Sequence, residues 1–231
     1  MITATLKHAW DLYRKHFGVV AAVIVVIWLP LDLLSSYMDY FVFDPEDVAR
    51  SFRFSQFLDN FVGIVATAGV IYIGYESCLG LQPSFGSAMS VGANSWGRMW
   101  WTRCLTSIVV VLGLLLLIVP GIYLLVRFAL VEPVAVCEGI SGTKAMHRSF
   151  ELTKGHFWQI FFLGLIVGAM VIAVIICAIL PTIFVPALDH WLVDAAISLF
   201  ADLIAAFFTF CLLCAYFSFS AEQNMAERRE A

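Results

Sequence analysis

Six stretches of the chain are apolar for long enough to cross a bilayer, and short polar or glycine-rich breaks separate them. A hydrocarbon core about 30 Å thick takes roughly 20 helical residues, fewer where flanking side chains adjust. On that criterion the spans are Phe17–Leu34, Phe57–Leu79, Trp101–Val119, Gly121–Val136, Phe157–Leu180 and Trp191–Ser218. The third and fourth are joined only by Val119-Pro120-Gly121. As one helix, Trp101–Val136 would reach about 54 Å at 1.5 Å per residue, so the pattern predicts a tight hairpin. Richness in Ile and Val does not argue for strands here, because open sheet edges cannot exist in lipid.

Three segments of helical period precede the odd-numbered spans. In the first, Ile2, Leu6, Ala9, Trp10, Tyr13 and Phe17 face away from Lys7, His8, Asp11, Arg14 and Lys15. The second sets Phe85, Ala88, Met89, Gly92, Ala93, Trp96, Met99 and Trp100 against Ser87, Ser90, Asn94, Ser95 and Arg98. The third sets Ala145, Met146, Ser149, Phe150 and Leu152 against Lys144, His147, Arg148, Glu151 and Lys154. Each is too polar to cross and long enough to lie in the membrane interface.

These segments also expose an internal repeat. Leu6–Phe17 aligns without a gap on Met146–Phe157, pairing Trp10 with Phe150, Asp11 with Glu151, Leu12 with Leu152, Arg14 with Lys154 and His16 with His156. A weaker middle copy matches Ala88-Met89 to Ala145-Met146 and Trp100-Trp101 to Phe157-Trp158. The expected fold is an all-α integral membrane protein: a single membrane domain over 1–231, with six transmembrane helices, three cytoplasmic interfacial amphipathic helices, and a threefold repeat of helix plus hairpin in units of about 1–80, 81–140 and 141–220.

Composition agrees with membrane residence. The chain is 62% hydrophobic and 13% charged, against about 45–50% and about 25% in soluble domains. The net charge of -4 points to no nucleic-acid partner. Ten of the thirteen Lys and Arg flank the amphipathic segments or end the chain: Lys7, Arg14, Lys15, Arg98, Arg103, Lys144, Arg148, Lys154, Arg228 and Arg229. Arg50 and Arg53 lie in the loop after the first span with Asp39, Asp44, Glu46 and Asp47. The positive-inside rule therefore predicts both termini in the cytoplasm.

Charge inside the spans is the first place to seek function. Arg127 lies six residues past Gly121, about 9 Å below the outer end of its span, and Asp202 lies eight past Asp194, about 12 Å below a similar level. The depths predict an intramembrane Arg127–Asp202 ion pair, read first as a clamp for helix packing. Headgroup-binding candidates are Arg14, Lys15, Arg98, Glu138, Arg148 and Lys154, with Glu76 and Glu132 nearby. The sequence carries no catalytic or metal signature: His147 and Glu151 lack the HExxH context, and Cys211-x-x-Cys214 reads as packing inside a long helix. No cofactor is expected.

The stretch PGIYLLVRFALVEPVAVCEG followed by SGTKAMHRSFELTKGHFW resembles the membrane-spanning domain of bacterial glycerophosphoryl diester phosphodiesterases and small six-span inner-membrane proteins related to it. The matching positions are Pro120, Gly121, Arg127, Pro133, Glu138, Gly139, Ala145, Arg148, Ser149, Leu152 and Gly155. The resemblance implies a helical protein of the bacterial inner membrane, without the soluble barrel that holds the phosphodiesterase site. The expectation is a non-catalytic membrane protein that engages phospholipids, and a membrane-protein partner or second copy, through its amphipathic helices in envelope homeostasis. The alternative is a transporter or lipid-translocating protein with a polar path at Arg127 and Asp202.

Overall fold

The computed structural model describes residues 2–44, 47–184 and 190–230, so the loop position Glu46 lies outside the described residues, as does the side chain of Arg229. The described elements are helical throughout: α1 (Ile2–Lys15), α2 (Phe17–Phe41), α3 (Val48–Leu58), a π-turn (Asp59–Gly63), α4 (Ile64–Cys78), α5 (Phe85–Leu116), α6 (Ile118–Arg127), α7 (Val131–Cys137), α8 (Thr143–Leu152), α9 (Phe157–Phe184) and α10 (Trp191–Glu230). Six helical stretches are long and apolar enough to cross a membrane: Phe17–Phe41, Ala49–Cys78, Phe85–Leu116, Ile118–Cys137, Phe157–Val174 and Trp191–Met225.

Helices α4 and α10 form the spine: each gives several buried residues to both apolar clusters of the core, where α5 and α9 give one apiece. One cluster joins them to α5, α7 and α8 through Ile71, Met99, Val134, Met146 and Leu213. The other joins them to α1 and α2 through Ala9, Val23, Ile73 and Phe210.

The amphipathic segments are placed differently from expectation. The polar face of α1 is exposed at Lys7, His8, Asp11, Arg14 and Lys15, but its apolar face lies on α10 rather than open to lipid. Ala9 and Tyr13 are buried, Trp10 meets Phe207 edge to face at 5.6 Å, and the Tyr13 hydroxyl donates to the Leu203 carbonyl at 2.9 Å. Burial pushes that hydroxyl up to about 12. Helix α8 is likewise buried at Ala145, Met146, Ser149 and Leu152.

The middle segment is not a separate helix, because α5 runs unbroken from Phe85 to Leu116. It starts at a reciprocal cap, Ser84 Oγ accepting from the Ser87 amide while the Ser84 amide donates to Ser87 Oγ. Its small residues Ala88, Gly92 and Ser95 are buried. A Cβ on Gly69 would lie 3.3 Å from the Ala88 carbonyl, and one on Gly92 would meet the Val65 carbonyl at 2.5 Å. The apolar stripe expected to face lipid is thus, at Ala88 and Gly92, a close-packing face for α4, joined by Ser95 from the polar side.

The hairpin of the third and fourth spans forms, and its break falls at Leu117, which is extended (φ −162°, ψ 145°), two residues before the expected link. Pro120 then sits in the first turn of α6, where a missing N–H costs nothing. A Cβ on Gly113 would lie 3.3 Å from the Gly121 Cα, so paired glycines let the arms close. At the tip Leu115, Leu116, Leu117, Ile118 and Val119 are all exposed, an apolar surface suited to lipid.

The first and third segments share their local geometry. The carbonyl of His16 accepts from the amides of Val19 and Val20, and that of His156 from Gln159 and Ile160, so each histidine turns the chain into the following span. His16 is buried, and burial, aided by the Lys15 charge, holds its imidazole below the usual value.

Two predictions follow from this packing. Gly92→Ala should destabilise the purified protein by about 1–3 kcal/mol, because the clash is with main chain and α4 must move. Gly97→Ala, where nothing lies within 4 Å, should be neutral or stabilising by up to about 1 kcal/mol. Fluorescence-detected thermal unfolding reads both. For His16 the unfolded chain binds the proton more readily than the fold, so its contribution is complete above about pH 6.5 and is lost as pH falls through the lower folded value. His16→Gln should therefore flatten the decline in thermal midpoint below pH 6.5, and an unchanged profile would place the titration elsewhere.

Candidate functional site

The sharpest polar construction begins where α6 ends. The amides of Phe128 and Ala129 close onto Leu124 and Val126, but the Arg127 carbonyl takes its partners from another helix. Ser149 Oγ donates to it at 2.9 Å and Thr153 Oγ1 at 3.3 Å, both buried. This places Phe150 of α8 against the Arg127 side chain, whose guanidinium carbon lies 3.7 Å from that ring centre and 5.7 Å from the ring of Tyr123.

The expected Arg127–Asp202 pair is not formed. Arg127 is 5% exposed and its Nε has no hydrogen-bond partner, the aromatic faces of Phe150 and Tyr123 standing where a carboxylate was expected. Asp202 instead lines a cavity with Asp32 of α2. The cavity, of about 410 Å³, is also lined by Asp39, Asp59 and Asp194 and takes in Ser35, Ser55 and Ser198. The reason is lateral placement. Helix α6 packs on α5 and α9, while the Asp202 region of α10 packs on α2. The α10 side chain that reaches the polar network of α7 and α8 is Tyr216, fourteen residues or about 21 Å of helix from Asp202.

At the end of the bundle that carries most of the cations, Glu138 is the common acceptor. Arg148 Nε reaches its two oxygens at 3.1 and 3.3 Å, and the Tyr216 hydroxyl donates to it at 3.0 Å. Arg148 also donates to Gln223 Oε1 at 2.8 Å, so one carboxylate and one guanidinium tie α7, α8 and α10 together. The Arg148 and Glu138 side chains are only 24% and 26% exposed, which sets the pair apart from an ordinary surface ion pair. Arg103 and Glu132 form a second pair at 2.6 Å. Arg98 is drawn inward, to Ser95 Oγ at 2.9 Å and the Gly139 carbonyl at 3.4 Å.

The loop that permits this is built on glycine. Gly139 and Gly142 have φ of 70° and 61°, in the left-handed region that favours residues without a Cβ. The Gly142 amide donates to Thr102 Oγ1 at 2.8 Å, so the start of α8 is fixed to α5.

Of the six headgroup candidates, the structure brings Glu138 and Arg148 together and turns Arg98 inward, while Arg14, Lys15 and Lys154 stay exposed. Sequence reasoning missed Tyr216, Gln223, Phe150, Ser149 and Thr153 as members of the network, and it missed Asp32 and Asp59 beside Asp202. The acidic residues within the second span and at the end of the first were the available signal for the latter.

Double-mutant cycles separate these contacts. Arg127→Met and Phe150→Leu should couple by about 0.5–2 kcal/mol in thermal stability. Arg127→Met and Asp202→Asn should add to within about 0.5 kcal/mol. Strong coupling in the second cycle would restore the ion pair.

No curated protein and no solved structure matches the chain. The family model for the membrane domain of glycerophosphoryl diester phosphodiesterase does match, over residues 100–225. That region runs from the middle of α5 through the hairpin, the Arg127 cap and the Glu138 network into α10, and it exceeds half of the 231 residues. On that match the chain belongs to the family of the membrane domain of glycerophosphoryl diester phosphodiesterase.

Proposed function

We propose that the chain is a non-catalytic module of the bacterial inner membrane, with its basic end in the cytoplasm, that engages phospholipids there in support of the envelope. The observation that carries this reading is the set of cations left outside internal pairs. Lys7, Arg14 and Lys15 project from α1, and Lys144 and Lys154 lie at the two ends of α8, all exposed. Exposed Trp10, Trp101 and Trp158 accompany them, as aromatic side chains do at a headgroup boundary. With their apolar faces packed on protein, α1 and α8 act as docked carriers of charge rather than as helices sunk into the bilayer. Each cation near an anionic surface contributes about 1 kcal/mol.

The transport alternative required Arg127 and Asp202 on one path. One lies between aromatic rings beside α8 and the other in the aspartate-lined cavity against α2, so the lipid reading is preferred.

The test is quenching of tryptophan fluorescence by brominated lipids in vesicles of mixed phosphatidylethanolamine and phosphatidylglycerol. Brominated phosphatidylglycerol should quench more strongly than its mole fraction predicts. The excess should shrink in 1 M salt, where the Debye length falls to about 3 Å. It should also shrink when Lys7, Arg14, Lys15 and Lys144 are changed to Gln. Equal quenching by the two lipids at low salt would sink the reading.

A further inference from the structure

A cleft of about 490 Å³ opens at the basic end, between the last turn of α8, the loop into α9 and the final turns of α10. Its ionisable lining is Glu151, Lys154, His156 and Glu222. His156 lies flat on Phe219, ring centres 4.0 Å apart, and its Nε2 is 3.3 Å from Glu222 Oε2. Its other ring nitrogen, Nδ1, is buried with no hydrogen-bond partner among the described residues. The floor is apolar, formed by buried Leu152 and Phe219.

Phe219 also lines a second, much smaller cleft of about 20 Å³ between α1, α9 and α10, where Ile160, Leu163 and Ala215 meet Thr5, Gln159 and Ser218. The two clefts adjoin at this one side chain, so a polar cleft of mixed charge has an apolar slot beside it. A headgroup with attached acyl chains has that sequence of polarity, and a soluble ion does not.

The charges decide which headgroup. One lysine stands against two glutamates, one of them beside His156 and the other 3.5 Å from His147 Nδ1, so the cleft is not net cationic. A purely anionic headgroup would meet as much repulsion as attraction, whereas one carrying both a phosphate and an ammonium finds a partner for each. The only aromatic carbocycle in the lining, Phe219, is 5% exposed and already covered by His156. The site thus lacks the open aromatic faces that select a quaternary ammonium. Carboxylates suit an ammonium with N–H donors.

We propose that this cleft holds one zwitterionic phospholipid with a primary ammonium headgroup, its phosphate on Lys154, its ammonium on Glu222 and Glu151, and an acyl chain leaving past Phe219 along α9 and α10. The proposal rests on the lipid-engaging reading and sharpens it. The basic surface exchanges anionic lipid in a salt-sensitive way, while the cleft retains one lipid by paired contacts that salt screens less.

The experiment is native mass spectrometry of the full chain, delipidated and then offered equimolar phosphatidylethanolamine, phosphatidylcholine and phosphatidylglycerol. One phosphatidylethanolamine per chain should be retained, at least about tenfold over either competitor and still in 0.5 M ammonium acetate. Lys154→Gln and Glu222→Gln should each lower retention about tenfold, the effect of losing one charge-assisted hydrogen bond, and Lys154→Arg should restore it. Both side chains are on the surface, so circular dichroism should be unchanged. Soluble phosphoethanolamine at 1 mM should not displace the lipid; displacement would mean a site for a soluble ligand and overturn the assignment. Retention unaffected by Lys154→Gln and Glu222→Gln would place the lipid elsewhere and overturn the cleft. Quenching by phosphatidylglycerol without any retained phosphatidylethanolamine would remove this inference and leave the broader reading standing. Failure of both would remove both.

Discussion

A helix that stops where water is scarce leaves carbonyls without partners, and the basic end of this bundle is organised around one such stop. Helix α6 is ten residues long and ends at Arg127. Its last carbonyl accepts from the Ser149 hydroxyl of a helix that begins sixteen residues later, with the Thr153 hydroxyl, shared with the Ser149 carbonyl, beside it. An unpaired buried carbonyl costs on the order of 1–3 kcal/mol, so α8 is held in one place by main-chain need as well as by apolar contact. From that placement come the stacking of Phe150 on Arg127, the reach of Arg148 to Glu138, and the turn at His156 that launches α9.

The same cap explains how a guanidinium can be buried without a counter-charge. Arg127 lies between two aromatic faces whose negative quadrupole replaces part of the lost hydration. Depth along the sequence matched the only cation in its span with a carboxylate of similar level in another. It had no means of knowing which helices are neighbours. A helical sequence fixes a residue's height and the face it occupies, but the order of helices around a bundle depends on side-chain interlock among segments of nearly identical hydropathy.

That limit sets what was readable and what was not. Six apolar stretches, a hairpin at the proline and glycine, and the family resemblance were legible because length and hydropathy alone decide them. The family model's match over residues 100–225 bears out the resemblance. The unbroken α5 was hidden because its first half, with Gly92 on a stripe of small residues and Ser95 among polar ones, reads as an amphipathic segment in isolation. Packed on α4, small residues permit a close approach of main chains, a property no single-helix pattern displays. Tyr216 and Gln223 were hidden for the converse reason. They look like ordinary residues near the end of an apolar run, and only the return of α10 beside α8 gives them a carboxylate and a guanidinium to bind.

Internal pairing also determines which charges are free to act outward. Arg98, Arg103 and Arg148 are spent on Gly139, Glu132 and Glu138, and they hold α5, α7 and α8 in register. A lipid competing for them would have to break contacts between elements of the fold. Lys154 bears no such duty in the ion pairs of the network, and it stands beside a cleft whose other charges are carboxylates. A cation count along the sequence therefore overstates the positive surface, and the same residues, sorted by what they already hold, divide into a structural set and a set open to the membrane. On the proposed lipid-engaging reading, selectivity among lipids follows from the cleft, where opposite charges stand together, rather than from the number of basic residues.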